Sequence, residues 1–482
     1  MVSAYKQTSN QSLSAPMKLV TPLLFALLSA VSVLVCKSDQ VKSVKTKRQQ
    51  EDSETPPILS FTKVLSNGRQ IPLIGMGVGN LQLGLIDEVT SLNLSMGSRL
   101  IDTARASKNE KAISAAIGKT LEGSARTADG SDENVVHVVT KVWYTHLGYE
   151  RTMISVAESL HDLTTDRGVD IRVHILLHWP RCDDGIAWMN CEGEENLLPQ
   201  YVRDAGPPPH LDKDNAWAES WKALEDSYVD DRRNRDTNMG RKPLIESIGV
   251  SNFNTNDMTA LLDTCRIKPF IYQGNVWTVL HDPKLMGLLS EHHILFQAYN
   301  IIHGIFDRKS AAPNAFAVLG KVGAHVWKKR GGSGSGSKVT EAMIIMAWLV
   351  QQGISVIPRA SSYIHQRENT PATIKSIPRL ESDEIEKVKA AMSALMKGED
   401  FTEVKAVFHN NFVRSIQLFW LDKKTGEEKP ITKQVEPGVQ MAINSHPGHT
   451  FVAYCSMKKL RREYTITGNY GDSNYFSVHG EL

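Results

Sequence analysis

An excess of charge of either sign is missing from this chain: 55 lysines and arginines stand against 53 aspartates and glutamates over 482 residues, a formal net charge of +2. Nothing in that balance points to nucleic acid. The basic clusters Lys328–Arg330 and Arg232–Arg235 lie in polar, turn-rich surroundings and read as solvated loops. Cysteine is scarce too, five in all, which leaves room for little more than one local bridge. Cys182 and Cys191 share the polar loop CDDGIAWMNC, where they either pair in an oxidising lumen or remain free thiols. The sole glycosylation sequon of the body is Asn93 in NLS.

Long apolar runs are also absent, with one exception. Leu19–Cys36 is an uncharged apolar stretch of 18 residues between Lys18 and Lys37, and as a helix it would span about 27 Å. Ser29, Ala30 and Ser32 offer small residues for cleavage. Residues 1–57 therefore read as a signal peptide or a signal anchor plus a polar linker. Either sends the chain into the secretory pathway, and the anchor would attach it to a membrane through residues 19–36.

What is present is a core-forming composition, 41% hydrophobic, over a length that suits two domains. From residue 58 to 396, short Val- and Ile-rich runs alternate with amphipathic segments. The runs begin at Ile71, Ser98, Val135, Arg172, Leu244, Phe270, Ile294 and Ile354. They are continuously apolar, as strands covered on both faces must be. Helical patterns such as EKAISAAIGKTL, RTMISVAESLHDL and EAMIIMAWLVQQ separate them. Eight such units predict an α/β chain folded as a (β/α)8 TIM barrel with its active face at the carboxyl ends of the strands.

Three insertions break the rhythm. Arg181–Asp214 reads as a long loop after the fourth strand, Asp230–Lys242 as a charged surface loop, and Gly331–Ser337 (GGSGSGS) as a flexible joint. The helix LESDEIEKVKAAMSALM closes the barrel, and residues 397–403 form a linker. Residues 404–482 then alternate in period two between turn signals such as KKTGEE and NYGDSN, which predicts a small all-β sandwich.

Three polar residues stand at the ends of the second, third and fourth strands: Asp102 in IDTA, Lys141 in TKVW and His178 in LHWP. With these motifs in this order the barrel resembles the aldo-keto reductases over nearly its whole length. The resemblance implies hydride transfer between NADP(H) and a small-molecule carbonyl or alcohol, with a tyrosine as acid, a lysine–aspartate pair lowering its pKa, and the histidine orienting the carbonyl. Five residues after Asp102, where that tyrosine belongs, the chain has Ser107. Tyr144, three residues past Lys141, is the nearest phenol in sequence.

The same resemblance assigns the cofactor side. Ser251 and Asn252 in GVSN and Gln273 in YQGN match the carboxamide-binding positions, and Tyr299 in QAYN the aromatic that stacks on the nicotinamide. Arg359 stands for the lysine that pairs with the 2′-phosphate, and Glu368 and Asn369 match the adenine contacts. Ala360, His365, Gly79 and Asn300 depart from the pattern. The chain thus reads as an NADP-dependent oxidoreductase impaired at its acid.

The C-terminal segment resembles the von Hippel-Lindau β domain through FHNN, IQLFWLD, EPGVQMAINSHPGH and TFVAY. That implies a hydroxyproline-containing peptide as partner, with Trp420, Ser445 and His449 on the pocket positions and Ile431 and Phe451 departing from it. The alternative function is a nucleotide-binding pseudoenzyme or scaffold whose β domain recognises such a peptide.

Overall fold

The computed structural model describes residues 61–122, 135–164, 169–183, 185–235, 244–332, 338–432, 434–455 and 460–479. The apolar run Leu19–Cys36 and residues 333–337 of the Gly-Ser joint lie outside these. Among the described residues no helix is long and apolar enough to cross a membrane.

A short antiparallel hairpin, β1 (Thr62–Val64) and β2 (Gln70–Pro72), precedes the barrel. Each of the eight apolar runs then yields a strand: β3 (Met76–Gly77), β4 (Leu100–Asp102), β5 (Val135–Val142), β6 (Asp170–Leu177), β7 (Leu244–Ser251), β8 (Ile271–Asn275), β9 (Leu295–Tyr299) and β10 (Ser355–Val356). They pair in sequence order, all parallel, and a parallel bridge between Ile74 and Val356 brings the two edges together. β5 and β6 each end in five consecutive buried residues, as expected where side chains fill the barrel on one face and meet helices on the other.

The helices begin and end where local chemistry dictates. Thr340 accepts a hydrogen bond from the Met343 amide and starts the helix Glu341–Gln351. Glu381 and Glu384 form a reciprocal capping box on Ser382–Lys397, which stops at Gly398 in the left-handed conformation, φ 69°.

The insertions are more ordered than their composition suggests. Arg181–Asp214 contains the helices Cys191–Asn196 and Gln200–Asp204, where a plain loop is expected. A Cys182–Cys191 disulfide with Cα atoms 5.9 Å apart settles the two readings of those thiols. Beneath it, Arg151 donates to both oxygens of Glu195 at 2.8 Å and to the Gly206 carbonyl, a buried anchor. The charged segment from Asp230 is not a loop up to residue 235. It forms the last turns of the helix Ala216–Arg235, with Arg232 over the Tyr228 ring at 4.1 Å and the Asp231 carboxylate accepting from the Ile245 amide; residues 236–243 lie outside the described chain. Asn93 lies in the helix Leu83–Ser95 and is 2% exposed, which closes the sequon to glycan attachment.

Beyond Gly398 come two sheets. One has β11 (Val404–Asn410) between β14 (Gln440–Ser445) and β17 (Ser473–Val478). The other runs β13 (Glu428–Pro430), β12 (Gln417–Leu421), β15 (Thr450–Cys455), β16 (Leu460–Thr465). Alternate residues of both feed one apolar cluster around Phe408, which meets Phe451 edge-on at 5.4 Å and stacks on Phe476 at 5.1 Å. The Asp400 carboxylate accepts from the amides of Asn314 and Ala315, and Lys321 pairs with Asp472 at 2.6 Å, tying this segment to the helix Pro313–Lys329.

Candidate active site

Asp102 is the last residue of β4, Lys141 the penultimate residue of β5, and His178 follows β6, so three adjacent strands deliver them to one face. Lys141 Nζ donates to Asp102 Oδ1 at 2.7 Å and to the Thr103 carbonyl at 2.6 Å, and both side chains are buried. Asp102 Oδ1 also accepts from Gln273 Nε2 at 2.7 Å. The chain continues across the barrel through Gln297 to Ser355. The carboxylate thus meets one cation and one neutral donor where water is scarce.

Burial, and after it the positive charge of Lys141, hold the His178 imidazole well below its usual pKa, so the ring is neutral. Its Nδ1 is buried without a hydrogen-bond partner, and the ring sits edge-on to Trp143 at 4.9 Å.

Ser107 ends a single 3-10 turn, Arg105–Ser107, and is half-buried. Arg105 fixes that turn by donating to Glu110, Glu158 and Asp162. Asn109 anchors it further, donating to the Val78 carbonyl. A Cβ placed on Gly79 would lie 3.4 Å from Ser107 Oγ and meet nothing else within 4 Å. The two small residues are therefore close neighbours. Tyr144 offers no free phenol in compensation, because its hydroxyl donates to Glu194 Oε1 at 2.5 Å.

Next to this cluster, Asn252 Nδ2 donates to the His178 carbonyl at 3.0 Å and to Ser251 Oγ at 3.1 Å, while its Oδ1 accepts from Tyr299 at 2.7 Å. Burial raises the Tyr299 pKa to about 12, so it is a neutral donor. Asn252 adopts a left-handed backbone, φ 61°, and Asn80, Lys108 and Asn300 do likewise at 60°, 50° and 60°. All four follow strand ends or turns of this face; asparagine tolerates the conformation and lysine does so at a cost.

Farther out, Arg359 is exposed after β10, and no ion pair involves it among the described residues. Asn369 is 6% exposed, with its Nδ2 lacking a partner, and Glu368 is half-buried at the end of the helix Tyr363–Glu368. An unpaired guanidinium and an orphaned amide suit the phosphate and base of a nucleotide, so the residues present fit the dinucleotide that the motifs imply. In the C-terminal segment, Ser445 Oγ and His449 Nδ1 are 3.0 Å apart, and the Trp420 ring meets His449 at 5.6 Å. The Trp420 indole nitrogen is buried without a partner.

The sequence motifs do not single out Arg105, Glu194 or Trp188. The signal for Glu194 was its place three residues after Cys191, legible only once the disulfide is known.

A nearly closed parallel barrel thus carries this cluster at the carboxyl ends of its strands. Residues 88–406 match the Aldo/keto reductase family, and the chain belongs to it. This family of oxidoreductases uses NADP(H). The chain is similar to aldo-keto reductase family 1 member A1 of Gallus gallus, 26% identical over 296 residues, covering 61% of this chain and 79% of that one. It is also similar to an aldose reductase of Encephalitozoon cuniculi, 30% identical over 312 residues, 64% and 87% of the two chains. A solved structure of Bombyx mori aldo-keto reductase in complex with NADP aligns at 20% identity and TM-score 0.48, covering 69% and 92%.

Proposed function

We propose that this chain is an NADP(H)-dependent oxidoreductase of small carbonyl or alcohol compounds whose proton delivery is attenuated at Ser107. The observation that carries this reading is the buried cluster of Asp102, Lys141 and His178 beside Asn252 and Tyr299, at one barrel mouth. The nicotinamide, when bound, supplies or accepts the hydride. Arg359 and Asn369 would hold the phosphate and adenine ends, and Ser251, Asn252, Gln273 and Tyr299 would frame the ring.

The protein's own groups then do the rest. The neutral imidazole of His178 has one N–H to donate to a carbonyl oxygen, which orients and polarises it. Lys141 has three N–H bonds, of which Asp102 and Thr103 take two. The third is free to face the oxygen. The serine hydroxyl is a far weaker acid than a phenol, so alkoxide protonation is slow. A general acid contributes about 100- to 10,000-fold, and that is the scale of the attenuation.

The test is Ser107→Tyr. Gly79 beside it presents no side chain to the ring, and reduction of simple aldehydes by NADPH should rise at least about 100-fold. No rise across an aldehyde panel would sink the proposal that the missing phenol limits the reaction.

A second reading concerns the C-terminal segment, which we propose to be a β-sandwich of the von Hippel-Lindau kind that binds a hydroxyproline-containing peptide. The gathering of Trp420, Ser445 and His449 around an orphaned indole N–H supports it. On this reading the barrel is a nucleotide-binding scaffold. Equal heats for proline and hydroxyproline peptides in titration calorimetry would dismiss it. The Cys182–Cys191 disulfide supports a secretory route, with Leu19–Cys36 as the signal or anchor.

A further inference from the structure

The insertion after β6 brings a carboxylate to the mouth that the chemistry above does not use. Glu194 lies in the short helix that the disulfide ties back to the strand end, and its oxygens accept from Trp143 Nε1 at 2.7 Å and Tyr144 Oη at 2.5 Å. Both donors are neutral. Glu194 forms no ion pair among the described residues, and the neighbouring guanidinium of Arg151 is committed to Glu195. Among the described residues this half-buried carboxylate is therefore held by neutral donors and has no counter-ion.

Around it stand indoles. Trp143 lies 6.2 Å from Trp188 and 4.9 Å from His178, and Trp188 lies 5.4 Å from Trp179. Trp188 is 43% exposed, so the group opens to solvent. Indole faces attract cations, and more strongly where water is partly excluded.

We infer that Glu194, with Trp143 and Trp188, forms a subsite for an organic cation, so that the preferred substrates of this barrel carry an ammonium or quaternary ammonium group beside the carbonyl or alcohol. The inference rests on the oxidoreductase reading for the word substrate, but the subsite can be tested without turnover. His178, in ring contact with Trp143, places it next to the reacting centre.

The experiment is tryptophan-fluorescence titration of the full chain with choline and with its neutral isostere 3,3-dimethylbutan-1-ol, at constant ionic strength. Choline should bind at least about tenfold more tightly. Glu194→Gln should abolish that preference and leave the neutral compound unchanged, and Trp188→Ala should weaken choline several-fold. Equal affinities for the two compounds, or a preference that survives in Glu194→Gln, would overturn the inference. A Glu194→Gln variant that loses thermal stability yet still discriminates would overturn it too, making the carboxylate a structural clamp. Choline binding without aldehyde reduction by any variant would sustain the subsite and remove the oxidoreductase reading instead.

Discussion

Replacing Lys141 by methionine isolates the interaction on which the site is built. The substitution keeps the length of the side chain and removes its charge. Asp102, 8% exposed, would be left with Gln273 Nε2 as its neutral donor, and the Thr103 carbonyl would lose its 2.6 Å bond. Breaking a buried pair in this way costs about 3–5 kcal/mol. Adding Asp102→Leu should recover most of that loss, because the stranded charge disappears and Gln273 keeps its bond to Gln297 at 2.8 Å. Urea unfolding of the wild type, the two single variants and the double variant, followed by fluorescence, gives the cycle directly. The double variant should lie within about 2 kcal/mol of wild type. A single-variant cost below about 1 kcal/mol, with additive behaviour in the double, would show instead that the pair is solvated and contributes little. The His178 pKa should also rise in Lys141→Met, since the lysine's charge helps hold it down.

Two further outcomes follow from burial and connectivity. Replacing Cys182 and Cys191 by serine opens a bridge of sequence separation 9, and loop-closure entropy of that size corresponds to about 2–3 kcal/mol, readable as a lowered urea midpoint under non-reducing conditions; an unchanged midpoint would count against it. Stability should fall on acidification well before carboxylates titrate. His146 is held down to about 4 by burial, and His174 well below its usual value by burial and by His137. The unfolded chain takes up those protons near pH 6.5 while the native one does not, so stability is lost as pH drops below that value. The loss is about 2 kcal/mol per histidine between pH 7 and pH 5, and a flat urea midpoint over that range would contradict it.

Much of the barrel was legible in the sequence because a strand covered on both faces leaves a continuous apolar signature. The eight runs beginning at Ile71, Ser98 and the positions after them all became strands. The motifs carried Asp102, Lys141 and His178 to one face for the same reason, since each sits at the end of such a run. What was less legible depended on contacts between distant residues. The helix through Arg235 looked like a charged loop because its support comes from Tyr228 and Ile245. The order of the insertion after β6 comes from a disulfide and from Arg151, about forty residues upstream of its partner Glu195. Gln273 and Asn252 read simply as cofactor ligands in the sequence, whereas in the structure their side chains bind Asp102, the His178 carbonyl and Tyr299. No local pattern announces that sharing.

A mouth that holds NADP(H) can be titrated directly, without a substrate. NADPH fluorescence should report micromolar binding to the wild-type chain, and Arg359→Ala, which removes an exposed guanidinium, should weaken it at least about tenfold. Binding absent at millimolar NADPH, or equal in the two proteins, would contradict the account.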